Sequence, residues 1–364
     1  MANPHHPVAG PRPGDQVTLR IDDVAFGGAG VGRVDGFAVF VPFTISGELV
    51  VARVEQVRRH YATARCERVI EPASSRVSPP CRYFGECGGC DYQHIDYPEQ
   101  LRTKQKQVAD QLRKRSALSG LAVGAMIPSP KDYGFRNRIT VHSDGKSVGF
   151  FRKNSREIVD VEECPIATAE VNRQLREYRG RGKIQVHRTL RERPEVITFS
   201  QTNDLVGEMM IEQVLAWFSG GKVVDAYCGS GFFAHRLAAV AVEVLGIDWN
   251  RPAIEQARSK AGANESFLCG DVGELLPDAL GTFKPDCIVL DPSADGLSTQ
   301  ATAAIDEWDP AQIIYVSCNP STFARDAERI AHRSCLREVQ PFDMFPQTAE
   351  IELVARFQSI RHTT

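Results

Sequence analysis

This 364-residue chain has no apolar run long enough to cross a bilayer; the longest, near Leu237 to Ile247, is short and interrupted by Glu243. Its opening residues, Met-Ala-Asn-Pro-His-His-Pro, lack both the basic stretch and the apolar core of a secretory leader. Four prolines up to Pro13 make residues 1–13 an expected disordered lead-in. With no leader, the ten cysteines do not read as a disulfide framework, because disulfides persist in oxidising compartments. No internal repeat is present. A cytoplasmic protein without a membrane partner is expected, its thiols serving as core fillers, metal ligands or nucleophiles.

Bulk composition is ordinary for a globular protein, at 42% hydrophobic and 24% charged residues, and the length allows two or three domains. The net charge of −3 conceals a split. Residues 1–200 hold 31 basic and 23 acidic side chains, a net of +8, whereas residues 201–364 hold 12 and 23, a net of −11. Such asymmetry points to a polyanion meeting the first half. Local clusters agree: Arg102-x-Lys104-x-Lys106, Arg113-Lys114-Arg115, and a run of arginines from Arg173 to Arg193.

Residues 14–72 read as a small β module. Val17–Ile21, Phe37–Val41 and Glu48–Glu55 alternate or cluster β-branched residues between turns such as Gly27-Gly28-Ala29-Gly30. Five short strands in so small a space fit an OB-like barrel, a fold often used for oligonucleotides. Residues 73–200 form a central region with the cysteine-rich segment, a helix from Leu101 to Leu118, and strands at Arg138–Ser143 and Ser147–Arg152. From 201 to 364 strands alternate with helices, which implies a doubly wound parallel sheet.

The first strand of that region, Val223-Val224-Asp225-Ala226, enters Tyr227-Cys228-Gly229-Ser230-Gly231, and a helix is expected from there to about Ala241. Asp248 comes about twenty residues later, at the tip of the second strand, where a carboxylate can accept both ribose hydroxyls. The third glycine of a dinucleotide fingerprint is missing, so an adenosine-type cofactor is favoured over a pyrophosphate. Asp271, in Cys269-Gly270-Asp271, is either an adenine contact or an exposed loop acid. Cys318 emerges from the buried strand Ile313–Ser317 and is followed by Asn319-Pro320, which favours a nucleophile over a core thiol. Glu350 and Glu352 flank Ile351 in a strand-like stretch, where one of the two acids can face the site. Cys81-x5-Cys87-x2-Cys90, with Cys164 far downstream, supplies four thiolates whose spacing fits either zinc or iron–sulfur.

Taken in order, these cysteines, Phe199-Ser200-Gln201-Thr202-Asn203, the Asp225–Gly231 loop, Ser317-Cys318-Asn319-Pro320-Ser321-Thr322 and Asp343-Met344-Phe345-Pro346-Gln347-Thr348 resemble a family. It is that of the RNA uracil-C5 methyltransferases carrying an iron–sulfur cluster, and the resemblance spans residues 14 to 358. It implies an α/β fold: a class I, Rossmann-like S-adenosylmethionine methyltransferase domain, an N-terminal TRAM barrel and a small α+β iron–sulfur domain between them. It also implies a thiolate at Cys318 adding to C6 of uracil, a flipped-out target base, and Glu352 taking the C5 proton, with Glu350 as runner-up. Gln201, Tyr227, Gly229, Asp248, Asp271 and Asp291 become cofactor contacts. Cys81, Cys87, Cys90 and Cys164 become ligands of a [4Fe–4S] cluster with a structural or RNA-positioning role.

Some positions depart from the pattern. Asp291-Pro292-Ser293-Ala294-Asp295 stands where the family has Asp-Pro-Pro-Arg, Phe232 where an asparagine is common, and Glu350 where histidine is frequent. A cytosine-C5 enzyme would place Pro-Cys where this chain has Pro292-Ser293. The expected substrate is ribosomal RNA, most readily 23S rRNA, on account of the TRAM-like module; tRNA is the alternative. A further alternative is an RNA-binding protein with a weakened methyltransferase domain. A monomer is expected.

Overall fold

The computed structural model of this protein describes residues 10–179, 187–192 and 201–361. The first nine residues of the lead-in, Arg181 and Arg193 of the arginine run, and Phe199-Ser200 lie outside the described residues.

Strands β1 (Gln16–Val24), β2 (Ala29–Val34), β3 (Phe37–Pro42), β4 (Leu49–Val57) and β5 (Tyr61–Glu71) close a barrel in the order β1-β2-β3-β5-β4, as the turn-separated strand pattern implied. Alternate residues fill it: Leu19 and Ile21, Val39 and Val41, Val50, Ala52 and Val54, Ala62 and Ala64. Gly32 is required in β2, since a Cβ there would stand 2.2 Å from the carbonyl oxygen of Arg20 on the paired strand. The barrel is tied to the cysteine-rich segment by Glu48, fully buried and accepting from Arg76 at 2.5 Å and from the Ile45 N–H at 2.9 Å.

Helix α1 (Tyr97–Arg113) starts where Asp96 caps the Glu99 N–H and Pro98 fixes the first turn. It begins and ends earlier than the expected Leu101–Leu118, and a separate 3₁₀ turn covers Ser116–Leu118. Its basic cluster is largely absorbed by the protein. Lys104 is buried, Lys106 meets Asp23 and Asp110, and Arg113 and Arg115 meet Asp110 and Glu328. Next comes a small antiparallel sheet, built from β6 (Arg138–Ser143), β7 (Val148–Phe151), β8 (Ile158–Asp160) and β9 (His187–Arg191) in the order β8-β7-β6-β9. One face packs Ile139, Val141, Val148, Val159 and Leu190 on Val171, Leu175 and Tyr178 of helix α2 (Ala169–Arg179).

Helix α3 (Asp204–Trp217) leads into the large sheet: β10 (Lys222–Ala226), α4 (Ala234–Leu237), β11 (Glu243–Asp248), α5 (Arg251–Lys260), β12 (Glu265–Cys269), α6 (Val272–Phe283), β13 (Cys287–Leu290), α7 (Thr299–Trp308), β14 (Gln312–Ser317), α8 (Pro320–Ile330), β15 (Ser334–Phe342) and β16 (Glu352–Ser359). The strand order is β12-β11-β10-β13-β14-β16-β15. The first five strands are parallel and β16 runs antiparallel to both its neighbours. Strands β13 and β14 are buried along their whole length, as expected for a sheet covered by helices on both faces. Helix α4 is shorter than expected and stops at Leu237, because the chain must turn back for Val242 to bond the carbonyl of Gly221 as it enters β11. Among the described residues no helix is long and apolar enough to cross a membrane.

Candidate active site

The order of strands reverses at β10, with β11 on one side and β13 on the other, which opens a crevice beyond their carboxyl ends. The loop leaving β10 carries three residues in the left-handed region, Tyr227 at φ 68°, Gly229 at 54° and Gly231 at 86°. Only glycine adopts that conformation without cost, so the strain at Tyr227 marks a place the fold holds deliberately. A Cβ built on Gly229 would meet nothing within 4 Å, which leaves this backbone facing open space. Asp248, 7% exposed, accepts the Gly229 N–H through Oδ2 at 2.8 Å and the Asn250 N–H through Oδ1 at 2.7 Å. Its carboxylate therefore braces the glycine loop from the tip of β11.

Two more acids gather at this edge. Asp225, fully buried, has both carboxylate oxygens without a hydrogen-bond partner in the protein. Burial pushes its pKa well up, and the charges of Asp291 and Asp248 add to the effect. Asp291, the residue after β13, is raised by burial and by Asp248 to about 7. Buried polar oxygens left unpaired are costly, and they call for a ligand at this position. The sequence hid Asp225 inside an apolar strand; an acid interrupting Val223-Val224-x-Ala226 was the available signal. Trp249, 71% exposed beside Asp248, is not marked by any motif, and so large a bare ring next to an adenosine-type site is a second such signal.

Cys318 and Glu352 are brought together by strand register. Ser317 of β14 pairs with Leu353 of β16, so one further step along the antiparallel ladder sets Cys318 opposite Glu352. Glu352 in turn pairs with Phe342 of β15. Cys318, just past the end of β14, is half-buried rather than sealed in the core. Burial, then the charges of Glu352 and Asp291, raise its pKa to about 12. Glu352 is only 6% exposed, and burial followed by Asp291 and Glu350 pushes its pKa well above the usual carboxylate range. Glu350 is exposed, outside β16.

The loop after β13 is knitted to the Cys318 segment. The Ala294 carbonyl accepts from Asn319 Nδ2 at 3.2 Å and Thr322 Oγ1 at 3.0 Å, and Arg325 donates to the Asp295 carbonyl at 2.6 Å. Asn319 also caps α8, accepting from the Ser321 N–H at 3.0 Å. Of the other predicted contacts, Gln201 is buried just before α3, its carbonyl accepting from Asn137 at 2.9 Å. Tyr227 is half-buried, and burial followed by Asp271 and Asp326 raises its pKa to about 12. Asp271 is exposed and serves as the N-cap of α6, accepting the Glu274 N–H at 3.2 Å. That role was legible as Asp-x-x-Glu ahead of an apolar run.

The four distant cysteines converge. Cys81, Cys87, Cys90 and Cys164 line one cavity of about 440 Å³ together with Arg136, Arg138 and Arg191. Burial raises the pKa of Cys87 and Cys90, and that of Cys164 to about 11, with the neighbouring thiols contributing. Among the described residues no three His, Cys, Asp or Glu side chains are grouped closely enough to hold one metal ion. Four thiols on one cavity are a donor set used both by zinc and by iron–sulfur clusters.

The outer face of the small sheet adjoins this cavity. Its cross-strand rungs are Arg138 with Arg191, Thr140 with Thr189, and His142 with His187. Phe151, 37% exposed, stacks on His142 with ring centres 3.9 Å apart. Like charges directly opposite on a sheet are unfavourable alone, and an aromatic-and-arginine face of this kind suits a polyanion with bases.

Comparison with known proteins adds to this geometry. The TRAM domain family matches residues 11–66, a methyltransferase domain family residues 223–308, and the tRNA (uracil-5-)-methyltransferase family residues 275–357. Uncharacterized RNA methyltransferases of Bdellovibrio bacteriovorus and Halalkalibacterium halodurans are each 31% identical to this chain. The alignments cover 95% of both chains in the first case, and 94% of this chain and 96% of the relative in the second. The crystal structure of Pyrococcus abyssi tRNA (uracil-54, C5)-methyltransferase in complex with S-adenosyl-L-homocysteine superposes with a TM-score of 0.75. It is 26% identical, over 93% of this chain and 99% of that one.

Proposed function

Because this chain belongs to the RNA uracil-C5 methyltransferase family, whose methyl donor is S-adenosylmethionine, we propose that it methylates C5 of a uridine in structured RNA through Cys318 and Glu352. The observation that carries this reading is the β14–β16 register, which sets a half-open thiol beside a buried carboxyl at the rim of the crevice. When bound, S-adenosylmethionine supplies an electrophilic methyl carbon. The residues that would hold it are those around the open glycine loop, Tyr227, Gly229, Asp248 and Asp291, together with Gln201 and Asp271. The unpartnered Asp225 carboxyl and the bare Gly229 backbone fit such a ligand.

Uracil C5 is too weak a nucleophile in the neutral ring. The Cys318 thiolate adds to C6, forming an S–C6 bond and pushing the electron pair into the C5–C4–O4 enolate. C5 then takes the methyl carbon, whose bond to the donor's sulfonium sulfur would break with the electron pair leaving on that sulfur. Glu352 Oε accepts the remaining C5 proton, the electron pair reforms C5=C6, and the S–C6 bond breaks. A raised carboxyl pKa suits such a base, because the more basic carboxylate holds the accepted proton better. Burial, then the surrounding acids, hold the Cys318 thiol high, and the sulfonium charge of a bound methyl donor would offset part of that negative field.

The substrate we favour is ribosomal RNA, in keeping with the N-terminal TRAM barrel. tRNA is the second reading, favoured by the likeness to a tRNA (uracil-54, C5)-methyltransferase along nearly the whole chain. Purified protein should incorporate labelled methyl from S-adenosylmethionine into 5-methyluridine in RNA from cells lacking this gene, detected after nuclease digestion. Label in the rRNA fraction supports the first reading and label in tRNA the second; 5-methylcytidine, or no methylated nucleoside, would sink both.

We further propose that the four-thiol cavity holds a [4Fe–4S] cluster, supported by the convergence of Cys81, Cys87, Cys90 and Cys164 from segments far apart in sequence. Anaerobically purified protein should be brown, with broad absorption near the visible blue and about four irons per chain. Cys90→Ser should lose both. One zinc per chain and no colour would overturn the assignment.

A further inference from the structure

Lys104 lies inside the protein with no exposed surface, paired at 2.6 Å with an equally buried Asp343. Its Nζ also donates to the Phe345 carbonyl at 3.0 Å. One turn earlier on α1, Gln100 makes a reciprocal pair with Gln347, donating to Oε1 and accepting the Gln347 N–H, both at 3.0 Å. A third hold comes from the cysteine segment. The N–H groups of Asp91 and Tyr92 donate to the Gln347 carbonyl at 3.0 and 2.9 Å, and Asp91 Oδ2 accepts the Ala349 N–H at 3.3 Å. Asp91 is itself fixed by an ion pair with Lys153. The loop 343–349 is therefore gripped by residues 91–104, on the opposite side of the sequence and next to Cys90.

This loop joins the two strands that present the base. Asp343 directly succeeds Phe342, the cross-strand partner of Glu352, and the Asp343 N–H donates to the Ile127 carbonyl at 2.9 Å. A buried ion pair is poor evidence of stability, because desolvation offsets the attraction; its best-attested use is to fix one register or conformation. Gln347 sits at φ 69°, a strained non-glycine backbone that persists only where its surroundings determine it, and here the surroundings are Gln100, Asp91 and Tyr92.

We propose that α1 and the Cys90–Tyr92 segment set the position of Glu352 through the 343–349 loop, making Lys104 and Asp91 positioning residues for removal of the C5 proton. The proposal rests on Glu352 being the C5 proton acceptor. It gives the cysteine domain a task in catalysis that needs no electron transfer.

The test uses full-length protein prepared anaerobically, RNA from cells lacking the gene, and S-adenosylmethionine labelled in the methyl group. Lys104→Met, Asp91→Ala and Glu352→Gln are compared with the natural protein. A mispositioned base leaves C5 methylated but still protonated, so the Sγ–C6 bond is not released. Lys104→Met and Asp91→Ala should lower kcat at least about tenfold, with little change in the KM for RNA, as misplacing a reacting group does. Both should also accumulate a labelled RNA–protein complex that resists denaturant, as Glu352→Gln does. Slow turnover without that complex, or unchanged turnover, overturns the proposal. Should Lys104→Met fail to fold, the partly exposed Asp91→Ala decides the matter alone. If Glu352→Gln itself accumulates no complex, the base assignment fails first and this proposal with it.

Discussion

Cys318→Ala should abolish 5-methyluridine formation, by about 10⁶-fold, the scale expected when an essential nucleophile is removed. The group that the register sets opposite it, Glu352, cannot replace it, because a carboxylate is a far weaker nucleophile towards C6. RNA carrying 5-fluorouridine gives the sharper measurement. Fluorine at C5 cannot leave as a proton, so the methylated adduct cannot collapse and the protein becomes covalently joined to RNA. The natural protein should shift to a denaturant-resistant complex on a gel, and Cys318→Ala should not. A complex that survives the substitution would remove Cys318 from its role. The fold itself should be little affected, since a half-exposed thiol at a strand end is being shortened by one atom.

Glu352→Gln should lower turnover by about 10² to 10⁴-fold, the range for loss of a general base, while addition by Cys318 and methylation continue. Ordinary uridine RNA would then be trapped as the methylated adduct. The pH dependence carries the sign of the assignment. Burial, Asp291 and Glu350 raise the Glu352 pKa, so in the folded protein the side chain holds its proton above the pH where a carboxyl usually loses it. Only the ionised form accepts the C5 proton, so kcat should rise with pH until Glu352 ionises. Asp291→Asn removes one like charge and should move that rising limb to lower pH at saturating methyl donor. The same raised acid makes the fold lose stability as pH climbs from its ordinary value of 4.5 towards the raised one, because the unfolded chain releases the proton first. Glu352→Gln should flatten that slope in thermal melts. A rising limb unmoved in Asp291→Asn would detach these two carboxyls from one another.

The parallel half of the large sheet was plain in the sequence, because apolar runs alternate with helical segments and each strand ends in a polar residue such as Asp248 or Asp291. The barrel was equally visible through its short alternating strands and turns. The pair Glu350 and Glu352 was not resolvable by alternation alone. Which of two acids in an i, i+2 relation reaches a site depends on where the strand begins, and pairing with Phe342 of β15 places only Glu352 within it. Lys104 was misread for a different reason. In Arg102-x-Lys104-x-Lys106 charge is all that composition shows, whereas its partner, Asp343, lies 239 residues away in sequence. Asp271 shows the converse, a capping role carried whole by the local pattern Asp271-x-x-Glu274.

Strand β16 lies between β14 and β15 and runs against both. A ribosome therefore releases the proton acceptor only after every parallel strand, the glycine loop and the thiol have already been made. Until that final segment slides into the gap, β15 has the backbone bonds of Gly124 and Ile127 but no full strand beside it, and the thiol stands without the carboxyl that the register sets opposite it. Pairing so distant in synthesis order is slow to form. Insertion of β16 is thus the step that completes the pairing of Cys318 with Glu352.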